Sequence, residues 1–468
     1  MSAPAVTGPD PASLLRSRDY TRILLLAAAL GIPIALLAFW FLQLSVHLQG
    51  WVYDDLPSAL GLGDPAWWPV PLLVVGGLLV ALTIRFLPGE GGEVPAEGFR
   101  AGGGFAPPSH LPGIALAALV TLGCGAVLGP EAPLIALGGG LGAWAIRAVK
   151  HDAPAQAVGL IGAAGSFAAI STLLGSPLPA AFLLMEIAGI GGAMTSLLLA
   201  PGLLAAGVGA LIFVGLDSLT GLGTASLSLP DLPPAGSPTV AEFGWALVIG
   251  VLAAFLGTAV RRLAQLLAPR VADRLLVAVP AVGLGVALLA VLYGQLTGRQ
   301  STEVLFSGQD ALGSLIAHGA DYSVGALVLL LLCKGLAYVG SLAGFRGGPI
   351  FPAMFLGATG GIALSNLPGL ELVPAVAMGI GAMCAVMLGF PLVSVLLATL
   401  LLQTDGLQVM PLVIVAVVVA YVGRAHLMPA APQAQPQPTQ PQPVTGASGA
   451  GTPTVGSPSS TPGSAGRP

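Results

Sequence analysis

The chain has 468 residues, 55% of them hydrophobic and only 8% charged, with a formal net charge of -4. So few ionisable side chains cannot coat a water-soluble globule of this size, which makes lipid the solvent for most of the surface. No basic excess exists to attract nucleic acid, and three cysteines inside apolar runs, Cys124, Cys333 and Cys384, point to neither a disulfide framework nor redox chemistry.

Residues 1–19 read as a cytoplasmic N-terminus, and residues 23–50, which contain no Asp, Glu, Lys or Arg, as the first membrane span. The run is far too long for the apolar core of a signal peptide. Arg16, Arg18 and Arg22 precede it while Asp54, Asp55 and Asp64 follow it, so the positive-inside bias orients the N-terminus to the cytoplasm. Trp51, Trp67 and Trp68 then mark the outer interface. Further apolar stretches lie at 66–84, 111–129, 132–149, 156–185, 194–216, 243–265, 275–297, 322–344, 350–366, 372–403 and 407–423. They predict an all-α polytopic bundle of more than ten helices. Several are broken by Gly and Pro below the roughly 20 residues a full crossing needs, which predicts helices that stop inside the membrane around a protected cavity. The 67 glycines fit close helix approach. From Pro429 the chain turns to Pro, Gln, Ser, Thr and Gly with Arg467 its only charge, so 429–468 reads as a disordered tail.

An internal repeat is the most informative feature. Gly129-Pro130-Glu131-Ala132-Pro133 recurs as Gly348-Pro349-Ile350-Phe351-Pro352, and Gly175-Ser176-Pro177-Leu178 as Gly389-Phe390-Pro391-Leu392, at offsets of 219 and 214 residues. The agreement divides the chain into a first transmembrane repeat, 20–218, and a second, 235–424. Arg147 and Lys150 follow the first motif's helix, whereas the loop after the second's has Glu371 as its only charge. The two copies therefore end on opposite sides, as in an inverted repeat.

Each Gly-Pro-x-x-Pro segment suits a helix start, because proline fits the first turn and glycine permits a tight entry. Two helix N-termini converging at depth offer free N–H groups and partial positive charge, a site for a small anion. Glu131 sits in the first turn of one of them, and residues 111–130 and 132–146 around it carry no charge. A carboxylate so placed either caps the helix or competes with the anion for one position, coupling protonation to anion occupancy. Glu186 and Lys334 are further ionisable groups in apolar stretches. Glu186 reads as a proton relay or an interface marker, and Lys334 as a snorkelling side chain.

At these residues the sequence resembles the CLC family of chloride channels and chloride/proton exchangers, from about residue 20 to residue 424. Residues 129–133, followed by Gly138-Gly139, are similar to the family's G-R-E-G-P segment, which implies that Glu131 is the external gating glutamate. Residues 348–352, continuing through Gly357 and Gly361, resemble G-x-F-x-P, and Gly91-Gly92-Glu93-Val94-Pro95 resembles G-S-G-I-P. The anion-binding set is thus Gly92, Val94, Gly129, Ala132, Gly348, Ile350 and Phe351, with Gly92, Val94, Ile350 and Phe351 offering backbone N–H groups to a central anion. The phenylalanine of G-x-F-x-P falls at Ile350, with a phenylalanine one place later at Phe351, and the pattern departs from the family's at four further places. Pro130 stands for its arginine, Gly92 for the serine, Ile187 for the inner proton-transfer glutamate next to Glu186, and the inner tyrosine has no counterpart. The resemblance implies a multi-pass cell-membrane protein, a homodimer with one pathway per subunit, chloride or a similar small anion as cargo, protons as partner in any exchange, and no cofactor or metal.

The reading is a CLC-like inverted-repeat bundle carrying a small anion, chloride first, as a channel or a chloride/proton antiporter gated by Glu131. A secondary transporter of another anion or a small organic solute on the same plan is the alternative. An intramembrane enzyme is disfavoured: H-E-x-x-H and H-x-x-E-H are absent, and Ser166 has no histidine nearby in sequence.

Overall fold

The computed structural model describes residues 16–63, 65–99, 104–188, 193–222 and 234–428. Most of the expected N-terminal segment, 1–19, and the whole expected tail, 429–468, lie outside the described residues. Among the described residues fifteen helices of eight or more residues carry the fold: α1 (Arg18–Gly50), α2 (Pro69–Phe86), α3 (Leu111–Gly123), α4 (Glu131–Val149), α5 (Ala155–Leu174), α6 (Pro177–Ala188), α7 (Ala193–Thr220), α8 (Val240–Asp273), α9 (Leu275–Thr297), α10 (Gln309–Ala317), α11 (Val324–Gly344), α12 (Ile350–Ser365), α13 (Leu372–Leu388), α14 (Pro391–Leu401) and α15 (Gly406–Leu427). Among the described residues, nine helices are long and apolar enough to cross a membrane, and α3, α6, α12, α13 and α14 are shorter apolar helices. This is a multi-pass membrane protein. The stretches 156–185 and 372–403 are each two helices, because Gly175 (φ 63°) and Gly389 (φ 81°) adopt the left-handed conformation that ends a helix and a proline opens the next one.

Helix starts follow local chemistry where the chain leaves the membrane. Ser17 accepts from the Tyr20 amide, Thr239 and Glu242 form a reciprocal capping box, and Ser323 accepts from the Ala326 amide. Trp51 and Trp67 are exposed at the end of the first crossing as expected, but Trp68 turns inward and donates its indole N–H to the Val52 carbonyl at 2.9 Å.

The inverted repeat is visible in which helices touch. In the first half α1 packs on α5 and α7, α4 on α5, and α5 on α7; in the second α8 packs on α13 and α15, α12 on α13, and α13 on α15. Equivalent helices meet across the halves, α2 against α9 and α6 against α14. The same offsets appear in the glycine contacts. Gly138 and Gly165 bring the α4 and α5 backbones so close that a Cβ on either would strike the other's carbonyl, and Gly357 and Gly379 do the same for α12 and α13. One turn on, Gly142 lies on the Ile161 carbonyl and Gly361 on the Ala375 carbonyl. Without a hydrophobic drive between helices in lipid, this backbone-to-backbone packing holds the short helices in place.

Candidate functional site

The two Gly-Pro motifs meet at the centre of the bundle. Gly129 and Gly348 form an isolated antiparallel bridge, the Gly129 amide donating to the Gly348 carbonyl at 2.8 Å and the Gly348 amide to the Gly129 carbonyl at 2.6 Å. Two hydroxyls brace it from opposite sides: Ser341 accepts from the Val127 amide at 3.0 Å, and Thr121 from the Arg346 amide at 3.3 Å. Val127 and Arg346 are separated by the same 219 residues as the bridge glycines. The bridge thus relates the two motifs as pseudo-two-fold mates, and α4 and α12 start directly after it with Pro130 and Pro349 as their caps.

Glu131 breaks that symmetry, since Ile350 occupies the equivalent place. Its side chain is fully buried, and Oε1 accepts from the Phe351 amide, in the first turn of the opposite helix, at 2.8 Å. The Ile350 amide is also close. Oε2 has no partner among the described residues. Both bridge glycines are required here, because a Cβ at either position would run into the carboxylate. Tyr338 of α11, which no sequence motif marks, is fully buried and donates its hydroxyl to the Pro349 carbonyl at 2.7 Å. Its phenol and the Cys384 thiol both lie within electrostatic range of Glu131. Tyr338 belongs to neither Gly-Pro motif, so only its apolar surroundings could have signalled it.

The expected anion ligands separate into two groups. Glu131, Ile350 and Phe351 come together, and Ala132 lies in the same first turn of α4. The amides of Gly129 and Gly348 are committed to each other, and the two glycines lie against the Glu131 carboxylate. The Gly92 amide donates to the Gly89 carbonyl at 2.8 Å and is likewise taken. Gly92 and Val94 belong to the loop between α2 and α3. In that loop Gly91 packs on Ala117, and residues 95–97 pack on α8 and α11.

Neither outlying ionisable group reaches this site. Lys334 does not snorkel: it is fully buried, and Nζ donates to the carbonyls of Glu303 (3.0 Å), Val304 (3.2 Å) and Leu305 (2.7 Å), with the Phe355 ring centroid 4.3 Å away. All three ammonium protons are spent on the loop before α10. Glu186 is half-buried and accepts from the Leu392 and Val393 amides at 3.0 and 2.9 Å, capping the N-terminus of α14 in the other half. Among the described residues no three His, Cys, Asp or Glu side chains gather as metal ligands.

Comparison with known proteins agrees with this architecture. Residues 76–424 match the family described as voltage gated chloride channel. The chain is 30% identical over 387 residues to a protein of Escherichia coli (strain SE11) that carries the provisional name ion-transport protein YfeO, covering 80% of this chain and 84% of that one. Its counterpart in Escherichia fergusonii matches to the same extent. Among solved structures, a slow cyanobacterial Cl-/H+ antiporter superposes with a TM-score of 0.71 at 20% identity, over 87% of this chain and 95% of that one. A CLC-type fluoride/proton antiporter gives 0.63 at 21% identity over 86% and 95%, and a eukaryotic CLC transporter 0.65 at 17% over 87% and 72%. The chain belongs to the voltage gated chloride channel family, CLC.

Proposed function

We propose that this CLC-family ion transporter carries a small anion, chloride first, past the paired helix N-termini of α4 and α12, and that Glu131 is the gate. The observation that carries the reading is the Glu131 carboxylate seated on the Phe351 amide, deep in the bundle, with its second oxygen unpartnered among the described residues. A helix N-terminus favours any anion, so the side chain occupies the place that a permeating anion needs. Protonation removes the charge that holds it there, and the anion then takes the amide.

The same geometry favours a passive conductance over proton exchange. Among the described residues the position next to Glu186 is the apolar Ile187, and Glu186 itself is engaged in capping α14, so no proton carrier leads on from Glu131 in this reading. The assembly is a homodimer on the family resemblance, which the mass of the detergent-solubilised protein checks. Chloride efflux from proteoliposomes, with the reversal potential read under a proton gradient, tests the function. A reversal potential that follows chloride alone supports a conductance, one displaced by the proton gradient means exchange, and no chloride flux with uptake of an organic anion replaces the reading.

A further inference from the structure

We propose that Arg261 of α8, together with Arg424 of α15, forms a second, side-chain anion station on the flank of the pathway that faces the 87–99 loop. The inference rests on the anion-transport reading for its role, though not for its existence as a binding site.

Arg261 is 9% exposed, whereas its sequence neighbour Arg262 faces out. One terminal N–H group donates to the Met387 carbonyl at the end of α13, and Nε is buried with no hydrogen-bond partner among the described residues. The charged neighbour it feels most is another cation, Arg424, whose half-buried guanidinium lies over Gly389 just past the α13 terminus. Among the described residues neither arginine is in an ion pair with a carboxylate. The α13 carbonyl end compensates them in part. A buried cation beside a like charge, with a donor left over, still calls for a counter-anion.

The station also faces the right way. Gly98 stands before the guanidinium, its missing Cβ position 3.4 and 3.5 Å from the two terminal nitrogens, so no side chain of residue 98 covers them. Arg261 also lies within electrostatic range of the Tyr338 phenol, whose hydroxyl rests on the Pro349 carbonyl next to Glu131's site. The basic residues Arg85, Arg147, Lys150, Arg270 and Arg274 all fall at helix ends that the charge bias assigns to the cytoplasm, as does this loop. On this proposal an anion leaving the Phe351 amide towards the cytoplasm passes a fixed positive charge.

Bromide is the probe. Crystals of the wild-type protein grown with bromide replacing chloride should show anomalous density within hydrogen-bond reach of Arg261 Nε. No bromide there, whether or not another site fills, overturns the proposal without reference to transport. In proteoliposomes Arg261→Gln, which retains a donor for the Met387 carbonyl but loses the charge, should weaken the apparent affinity for bromide roughly tenfold, as expected for one charge-assisted hydrogen bond. Arg261→Lys should restore part of it. If Arg261 only caps α13, Arg261→Gln leaves halide affinity unchanged and the station is refuted. Wild-type protein that binds bromide at Arg261 yet carries no halide would sink the transport reading and leave the station standing.

Discussion

Replacing Glu131 by glutamine keeps the shape of the side chain and deletes its charge, so it separates a gate from a helix cap. In the structure Oε1 holds the Phe351 amide at 2.8 Å. A hydrogen bond to a charged acceptor contributes about 1.5 to 3 kcal/mol net, one to a neutral acceptor about 0.5 to 1.5. The substitution therefore weakens the competitor by about 1 kcal/mol or slightly more, and the apparent chloride affinity at that amide should rise roughly five- to tenfold. The sign with pH follows from the competition. Ionised Glu131 holds the amide at high pH, so wild-type flux is low there and climbs as acidification protonates the side chain; the glutamine variant should be fast and flat throughout. Chloride efflux from liposomes at matched protein density, from about pH 4.5 to about pH 7.5, spans the ordinary carboxylate range and more. A glutamine variant that retains the wild-type pH response, or whose chloride affinity does not move, refutes the gate. A mere cap predicts the opposite pattern, about 1 kcal/mol of lost stability with pH dependence intact.

Lys334→Met leaves the carbonyls of Glu303, Val304 and Leu305 without their donor, and thermal unfolding in detergent should register a loss of about 3 kcal/mol. Glu186→Ala removes both caps from α14; the expected cost is about 1 kcal/mol, and a chloride flux whose pH profile changes would show that Glu186 moves protons after all. Gly357→Ala drives a methyl into the α13 backbone at Gly379, while Gly335→Ala meets nothing. The first should destabilise by about 1 to 3 kcal/mol and the second should not, so equal melting temperatures would contradict the close-packed helix pair.

Much of the site was legible because it is written in residues that have few other uses. Gly-Pro at both motifs marked the helix starts, and an isolated acid in an uncharged stretch marked Glu131. The two arginines at 261 and 262 were also visible in an apolar stretch, but nothing local says which of two adjacent cations is buried. That answer depends on α13 ending against α8 and presenting the Met387 carbonyl. Lys334 misled for the same reason: a lysine near an apolar helix can snorkel, and it stays inside here because a loop some thirty residues earlier turns three carbonyls towards it.

The sequence by itself determined that the chain lies in a membrane, where its helices break, and that it consists of two related halves in opposite orientations. Those follow from composition, from the conformational limits of Gly and Pro, and from charge bias, all of which act within a few residues. Tertiary structure alone decided which backbone amides remain available. Every N–H is equivalent in sequence, but Gly129 and Gly348 spend theirs on each other and Gly92 spends its own on Gly89, while Phe351 presents its amide to a carboxylate 220 residues away. Hydrogen-bond commitments of that kind are set by which segments the fold brings together, and side-chain chemistry does not encode them.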